Sequence, residues 1–286
     1  MTTLDKKRKG SGDAADLKPT KRTLGSSSRT AASSTPATFA AFSLESIVAS
    51  VRAATAAAIP DAPSGDLDRI LANATVHFLT HDRASWVYHV PRWHRRLHAA
   101  ATPPPTSYAS WFDDVWRLHP THHDAIKMFG RDVLTPRFQQ AYMVSYRFSG
   151  NTFEAQSVPP ALLRCVEALQ AIAVNAETGE SLLRGVLVNW YAHGEHYMGP
   201  HSDSESSLFP CSPVLSLSLG ATRRFVFSAK AGRAAAEPPT QRLELELQDG
   251  DLLVMGGTTQ RTHKHALPKM KKCLARRVSV TLRCFK

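Results

Sequence analysis

The sequence predicts an all-β core with flanking helices, an α+β chain whose heart is a double-stranded β-helix barrel of the jelly-roll type. Three observations carry this. From about residue 184 to the C-terminus, short runs alternate apolar and polar residues, the period that sends successive side chains to opposite faces of a strand. Gly, Pro, Asp and Ser punctuate the runs, and no long helical pattern separates them. The 286 residues, 43% hydrophobic and 21% charged, suit one globular domain with additions outside its core.

Residues 1–38 hold almost no large apolar side chain and are expected to be disordered. Within them, Lys6-Lys7-Arg8-Lys9 and Lys18-Pro19-Thr20-Lys21-Arg22 have the form of a bipartite nuclear-localisation signal, or of a basic tail that adds affinity for phosphates. A nuclear protein is the expectation, with the cytoplasm as a second location. Residues 39–65 read as an Ala-rich helix, with Leu44, Ile47, Val48 and Val51 at helical spacing, followed by the breaker Pro60–Gly65. The domain proper is expected over 66–286.

Between 78 and 127, Trp86, Tyr88, Trp93, Trp111, Trp116, His122 and His123 read as a packed or surface-lying aromatic face, with Thr102–Thr106 as a loop. Around 126–150, aromatic residues stand beside Arg131, Arg137, Gln139, Gln140 and Arg147. Base stacking with phosphate contact needs that mixture, although a plain hairpin turns such aromatics inward equally well. A helix is expected from Pro159, with Pro160 in its first turn and Leu162, Leu163, Val166, Leu169 and Ile172 on one face. Strands follow at Val186–Tyr191, Val214–Leu219, Arg224–Phe227, Leu243–Leu247, Leu252–Met255 and Val278–Leu282, with the jelly roll spanning about 184–286.

Chemistry concentrates in the barrel. His201 and Asp203 form an HxD, which in an extended segment puts both side chains on one face. With 13 histidines and 24 acidic residues, such a pair also arises by chance. His265, in Thr262–Pro268, is the best third ligand. Two histidines and a carboxylate on one side of a metal leave positions open for co-substrate and oxygen, as in non-haem Fe(II) sites. On the last strand Arg277, Ser279, Thr281 and Arg283 share a face. If that face lines the barrel, the arginines need anions, and a dicarboxylate such as 2-oxoglutarate supplies them. Asn189 and Tyr191, two residues apart, can bind the same molecule.

The net charge of +11 and a pI near 9.8 predict attraction to polyanions, nucleic acid first. Cys165, Cys211, Cys273 and Cys284 show no paired spacing and read as reduced thiols. No apolar run has the length of a membrane span, and no membrane partner is expected.

These pieces together resemble the AlkB family of Fe(II)/2-oxoglutarate-dependent dioxygenases, most of all its duplex-DNA alkylation-repair branch. The similarity runs through Asn189-x-Tyr191, His201-x-Asp203-x-Glu205, Ser218-Leu219-Gly220-Ala221-x-Arg223, Gly250-Asp251-Leu252-Leu253-x-Met255, His265-x-x-Pro268 and Arg277-x-Ser279-x-Thr281-x-Arg283. The resemblance implies His201, Asp203 and His265 as iron ligands, and Asn189, Tyr191, Arg277, Ser279 and Arg283 as 2-oxoglutarate contacts. It implies Fe(II), 2-oxoglutarate and O2 as cofactors, with ascorbate supportive. Met128-Phe129-Gly130 and Thr135-Pro136-Arg137 resemble the branch's finger, and Tyr146-x-Phe148-Ser149-Gly150 its base-pocket lid. An N-terminal nucleotide-recognition lid over 126–150 is therefore implied, with Phe129, Arg137, Phe148 and Glu205 in base or nucleic-acid recognition. Extruding a base costs a few kcal/mol, less where methylation has spoiled its pairing.

The implied activity is demethylation of N-alkylated bases, of the 1-methyladenine or 3-methylcytosine type, in double-stranded DNA by a monomer. Formaldehyde, succinate and CO2 are released. Two departures stand out. Ser279 occupies a common Asn position, and His263 an often aromatic one, so His263 competes with His265 as ligand. The rival readings are an oxygenase acting on RNA or tRNA, a non-catalytic basic nucleic-acid binder with a vestigial metal site, and a zinc hydrolase. The last leaves Arg277 and Arg283 unexplained.

Overall fold

In the computed structural model, residues 42–286 are described apart from 64, 102–106, 129, 149–150, 176, 204–206 and 231–241. They lie within one compact unit, Thr35–Lys286. The basic clusters of residues 1–38 lie outside the described residues.

The chain enters through helix α1, Leu44–Ala58, which Ser43 caps by accepting the Ser46 amide at 3.1 Å. The spacing noted in the sequence buries Ile47 and Val51, together with Ala54 and Thr55. This helix is not held apart from the domain. Its buried face joins the main hydrophobic core, and Thr55 accepts the Trp93 indole N–H at 2.9 Å. The short helix α2, Asp66–Leu71, follows. The stretch read as an aromatic face contains two strands, β1 (Thr75–Phe78) and β2 (Ser85–Val90), and two helices, α3 (Trp93–Ala100) and α4 (Tyr108–Arg117). Trp86, Tyr88 and Trp93 are core residues.

Next come the hairpin β3 (Ala125–Met128) and β4 (Arg131–Leu134), strand β5 (Phe138–Tyr142), the hairpin β6 (Tyr146–Phe148) and β7 (Asn151–Phe153), and β8 (Ala155–Gln156). Helix α5, Pro160–Gln170, starts at the expected proline and buries Leu162, Cys165, Val166 and Leu169. The barrel strands are β9 (Gly185–Tyr191), β10 (Met198–His201), β11 (Val214–Gly220), β12 (Arg223–Ala229), β13 (Leu243–Leu247), β14 (Leu252–Gly257), β15 (His263–Leu267) and β16 (Arg277–Arg283). A one-turn helix α6, Thr259–Thr262, separates β14 from β15, where the sequence reading expected none.

Two sheets result. The larger has eight strands in the order β1-β2-β14-β11-β16-β9-β5-β8, and the smaller has four, β10-β15-β12-β13. The pairings are antiparallel except β5 with β8. This is the predicted double-sheet jelly roll.

Period two decides what each face does. Val278, Val280 and Leu282 of β16, Val186, Val188 and Trp190 of β9, and Leu215, Leu217 and Leu219 of β11 join α1, α3 and α5 in the main core. The intervening Arg277, Ser279, Asn189, Tyr191 and Ser216 belong to the opposite face. There a second cluster, including Phe227, Leu253, Met255 and Leu267, links the large sheet to the small one. Burying the apolar face fixes the register, because a one-residue slip would turn the arginines into the helices. Among the described residues, no helix is long and apolar enough to cross a membrane.

Candidate active site

The short strand β10 pairs with β15 so that His201 stands opposite His265, their ring centroids 4.3 Å apart. The strand ends at His201, so Asp203 arrives from a non-regular segment and not from an extended HxD. Two bonds steer it: Ser202 Oγ donates to the His263 carbonyl at 2.7 Å, and Asp203 N donates to Gln260 Oε1 at 3.0 Å. As a result one donor atom from each of His201, Asp203 and His265 lies within 4.8 Å of the others. His263 is outside this cluster. Its Nδ1 meets Thr262 Oγ1 at 2.9 Å.

The electrostatics suit a cation. His201 Nδ1 lies 2.9 Å from the Gly199 carbonyl, which can only accept, so this nitrogen carries the proton and Nε2 keeps its lone pair. Burial pushes His265 down to about 3 and lowers His201 as well, so both imidazoles are neutral at physiological pH. Burial alone would raise the Asp203 carboxyl. The Arg283 charge outweighs it, joined by His265 once acid has protonated that ring, and holds the group well below the usual carboxylate range. Arg283 Nη2 donates to Asp203 Oδ1 at 3.0 Å, whereas Asp203 Oδ2 is buried with no hydrogen-bond partner. Two neutral nitrogens and an orphaned carboxylate oxygen are a donor set that fits Fe(II) and leaves part of its shell free.

Beside the cluster is a cavity lined by Asn189, Tyr191, His201, His265, Ser279 and Arg283, among others. Phe225 stacks on His265 at 5.7 Å and shields it from water. Arg277 lies deeper, 1% exposed and opposite Tyr191 in the strand register. Its Nη1 donates to the Ala221 and Leu247 carbonyls at 3.1 Å each, and its Nη2 to Ser218 Oγ at 2.7 Å. Its Nε is buried without a partner. Burial brings this guanidinium down to about 10.

The residues expected to meet nucleic acid fare differently. Phe129 and Glu205 lie outside the described residues. Phe148 ends β6, and its side chain lies outside them too. Arg137 is half-buried and turned inward: its Nε donates to Asn189 Oδ1 at 2.7 Å and its Nη2 to Gln139 Oε1 at 2.9 Å.

Two residues of the site escaped sequence reasoning. Gln260 gave no signal, because only the α6 turn brings it to Asp203. Arg223 stands in a motif but its work was not legible. Fully buried, it donates through Nη2 to the His196 and Pro268 carbonyls at 2.9 and 2.8 Å, tying together the loops that flank β10 and β15.

Comparison with known proteins agrees with this geometry. Residues 98–283 match the 2OG-Fe(II) oxygenase superfamily. The DNA oxidative demethylase ALKBH2 of Bos taurus is 37% identical over 164 residues, covering 55% of this chain and 56% of that protein. The Homo sapiens ALKBH2 is 36% identical over 164 residues, covering 55% and 60%. The alpha-ketoglutarate-dependent dioxygenase alkB homolog 3 of Rattus norvegicus is 35% identical over 112 residues, covering 38% of each chain. The chain thus spans a little over half the length of the ALKBH2 relatives it matches. With the matched region running from α3 through the last arginine of β16, the chain belongs to the 2OG-Fe(II) oxygenase superfamily.

Proposed function

We propose that the protein is a DNA dealkylase that restores bases of the 1-methyladenine or 3-methylcytosine type by direct reversal. The observation that carries this is the His201–Asp203–His265 cluster, two half-buried residues and one buried, with Arg283 bound to its carboxylate. The cofactors of its family are Fe(II), 2-oxoglutarate and O2, and the relatives named as DNA oxidative demethylases favour DNA as substrate.

In this reading His201, Asp203 and His265 hold the metal. Asn189, Tyr191, Arg277, Ser279 and Arg283 bind 2-oxoglutarate. A metal held there would supply, with 2-oxoglutarate and oxygen, the oxidising power for hydroxylating the alkyl carbon. The hydroxymethyl group then leaves the ring nitrogen as formaldehyde, and 2-oxoglutarate becomes succinate and CO2. The protein's part is geometry and charge. Arg283 keeps Asp203 ionised. Arg277 lies among carbonyls and a hydroxyl with an unpaired Nε, and so offers an anion a counter-charge. Phe225, Met255 and Leu267 on the cavity wall exclude water.

The lid over 126–150 and the roles of Phe129, Phe148 and Glu205 at an extruded base belong to this proposal, as do a monomeric enzyme, double-stranded DNA and a nuclear location. The exposed Val133 and Leu134 on the β3–β4 hairpin support a segment that meets a partner. The test is mass spectrometry of a duplex oligonucleotide carrying one 1-methyladenine, incubated with protein, Fe(II), ascorbate and 2-oxoglutarate. Loss of one methylene mass is expected, dependent on 2-oxoglutarate and abolished in His201→Ala. Turnover unchanged in that variant sinks the proposal. Succinate formed without repair, with repair on the matched RNA strand, moves the substrate to RNA.

A further inference from the structure

We propose that Arg137 is a positioning residue for the co-substrate, acting through Asn189, and not a nucleic-acid contact. The inference rests on reading the barrel cavity as the 2-oxoglutarate site.

Arg137 immediately precedes β5, on the segment whose sequence suggests contact with DNA. Its side chain does something else. Gln139 of β5 and Asn189 of β9 are directly paired across the sheet, and the Arg137 guanidinium bridges their two amide oxygens. The planar fork of arginine suits this two-pronged contact, which a single ammonium cannot reproduce. Asn189 is 1% exposed and Gln139 3%, so water offers neither amide an alternative partner. Gln139 and Asp124 also line a separate amide-rich cleft with Gln140, Asn151 and Gln156. A polar chain, Gln139–Arg137–Asn189, thus runs from that cleft to the wall of the cavity.

The consequence lies in the two ends of an amide. Asn189 faces the cavity that holds His201, Ser279 and Arg283. A carboxylate only accepts hydrogen bonds, so a useful asparagine must present its NH2 group. With Oδ1 held by Arg137 Nε, the NH2 group is the end left for the ligand. Without Arg137 the buried amide is free to turn, and one of its two orientations sets lone pairs against an anion. Pre-orienting the group removes that cost from binding.

The experiment is isothermal titration of 2-oxoglutarate into the full chain loaded with Mn(II), with turnover kinetics alongside. Arg137→Gln should raise Kd and KM about tenfold, the loss of one charge-assisted hydrogen bond, with kcat within about twofold. Asn189→Ala should lose a similar factor, and the double variant should bind no more weakly than Asn189→Ala alone, because the first effect passes through the second residue. Gln139→Met removes only the far anchor and should raise Kd about threefold. It decides the matter if Arg137→Gln does not fold, as judged by thermal melting. Additive losses in the double variant overturn the proposal. So does an unchanged Kd, or weaker duplex binding with an unchanged Kd for 2-oxoglutarate. If the wild-type protein binds no 2-oxoglutarate, the reading of the cavity itself fails first.

Discussion

Two regions of this molecule bury histidines. In the barrel, His265 is pushed down to about 3 by burial, with His201 beside it. In the helical layer, His94 of α3 is pushed down to the same value by burial, with His98 one turn along. Judged by titration alone the two are alike. Their surroundings separate them. His94 stacks on Trp111 at 4.7 Å, and His98 meets Tyr108 edge-on at 5.0 Å. The barrel pair converges with Asp203, which Arg283 keeps charged. A perturbed histidine therefore marks burial. It marks a site only where a carboxylate shares its space.

The largest effect that tests this contrast is metal binding. Mn(II) at a hundredfold excess over its Kd should stabilise the wild-type fold by about 2.7 kcal/mol. That corresponds to a rise in Tm of about 5–10 °C for a chain of this size. Chelation should reverse it. His201→Ala and Asp203→Ala should abolish the shift, while His94→Phe should keep it in full. A Mn(II)-induced shift that survives Asp203→Ala, or one lost in His94→Phe, would collapse the distinction between the two regions.

What the sequence disclosed follows the same line. The HxD, the distal histidine and the alternating arginines are local patterns, so both the His201–Asp203–His265 cluster and the barrel were legible in residues 184–286. Period two was equally plain in β9, β11 and β16, where each apolar face meets the helices. What escaped depends on contacts between distant residues. Helix α1 read as a preface to the domain because Pro60–Gly65 follows it, yet Thr55 receives Trp93, 38 positions away. Strand β2 was hidden because Trp86 and Tyr88 face the helical core while Val87 joins the second cluster, so aromatic residues crowd a strand without a clear polar face. Asp203 reaches the site although its strand has ended, because Gln260 and Arg283 draw it in. The Arg137 side chain gave no sign in the sequence of its bonds to Asn189 and Gln139, because both partners are reached only across the paired strands.

The second test separates the histidines by acid. His94 titrates near 6.5 when exposed and near 3 when folded, so between those values the unfolded chain binds a proton that the native chain refuses. Stability therefore falls as pH drops from about 6.5 towards 3, by about 1.4 kcal/mol per pH unit for one such group. His265 contributes in the same direction over the same window in metal-free protein. Asp203 has a depressed folded value, so its contribution is lost only at lower pH, beneath the usual carboxylate range. Urea unfolding of metal-free His94→Phe at pH 6 and pH 4.5 should show a shallower decline than wild type by about 2 kcal/mol over that interval. Parallel declines would mean that His94 is not held neutral by burial.

The smallest effect isolates the helical layer from the chemistry. Thr55 Oγ1 accepts the Trp93 indole N–H at 2.9 Å and donates to the Val51 carbonyl at 2.6 Å, all within the core. Thr55→Val keeps the shape and leaves the indole N–H buried without a partner, a cost of about 1–3 kcal/mol. The loss should appear in urea unfolding at neutral pH, with no change in 2-oxoglutarate turnover or in the Mn(II)-induced shift. The asymmetry has a physical basis. Between α1 and the His201–Asp203–His265 cluster lies the large sheet, whose register is fixed by full ladders such as β11 with β16 and β16 with β9. A sheet so pinned absorbs the loss of one helix contact without moving the side chains on its far face. Turnover that fell with stability in Thr55→Val would show that α1 is coupled to the site through that sheet, and that the two buried-histidine regions are not independent.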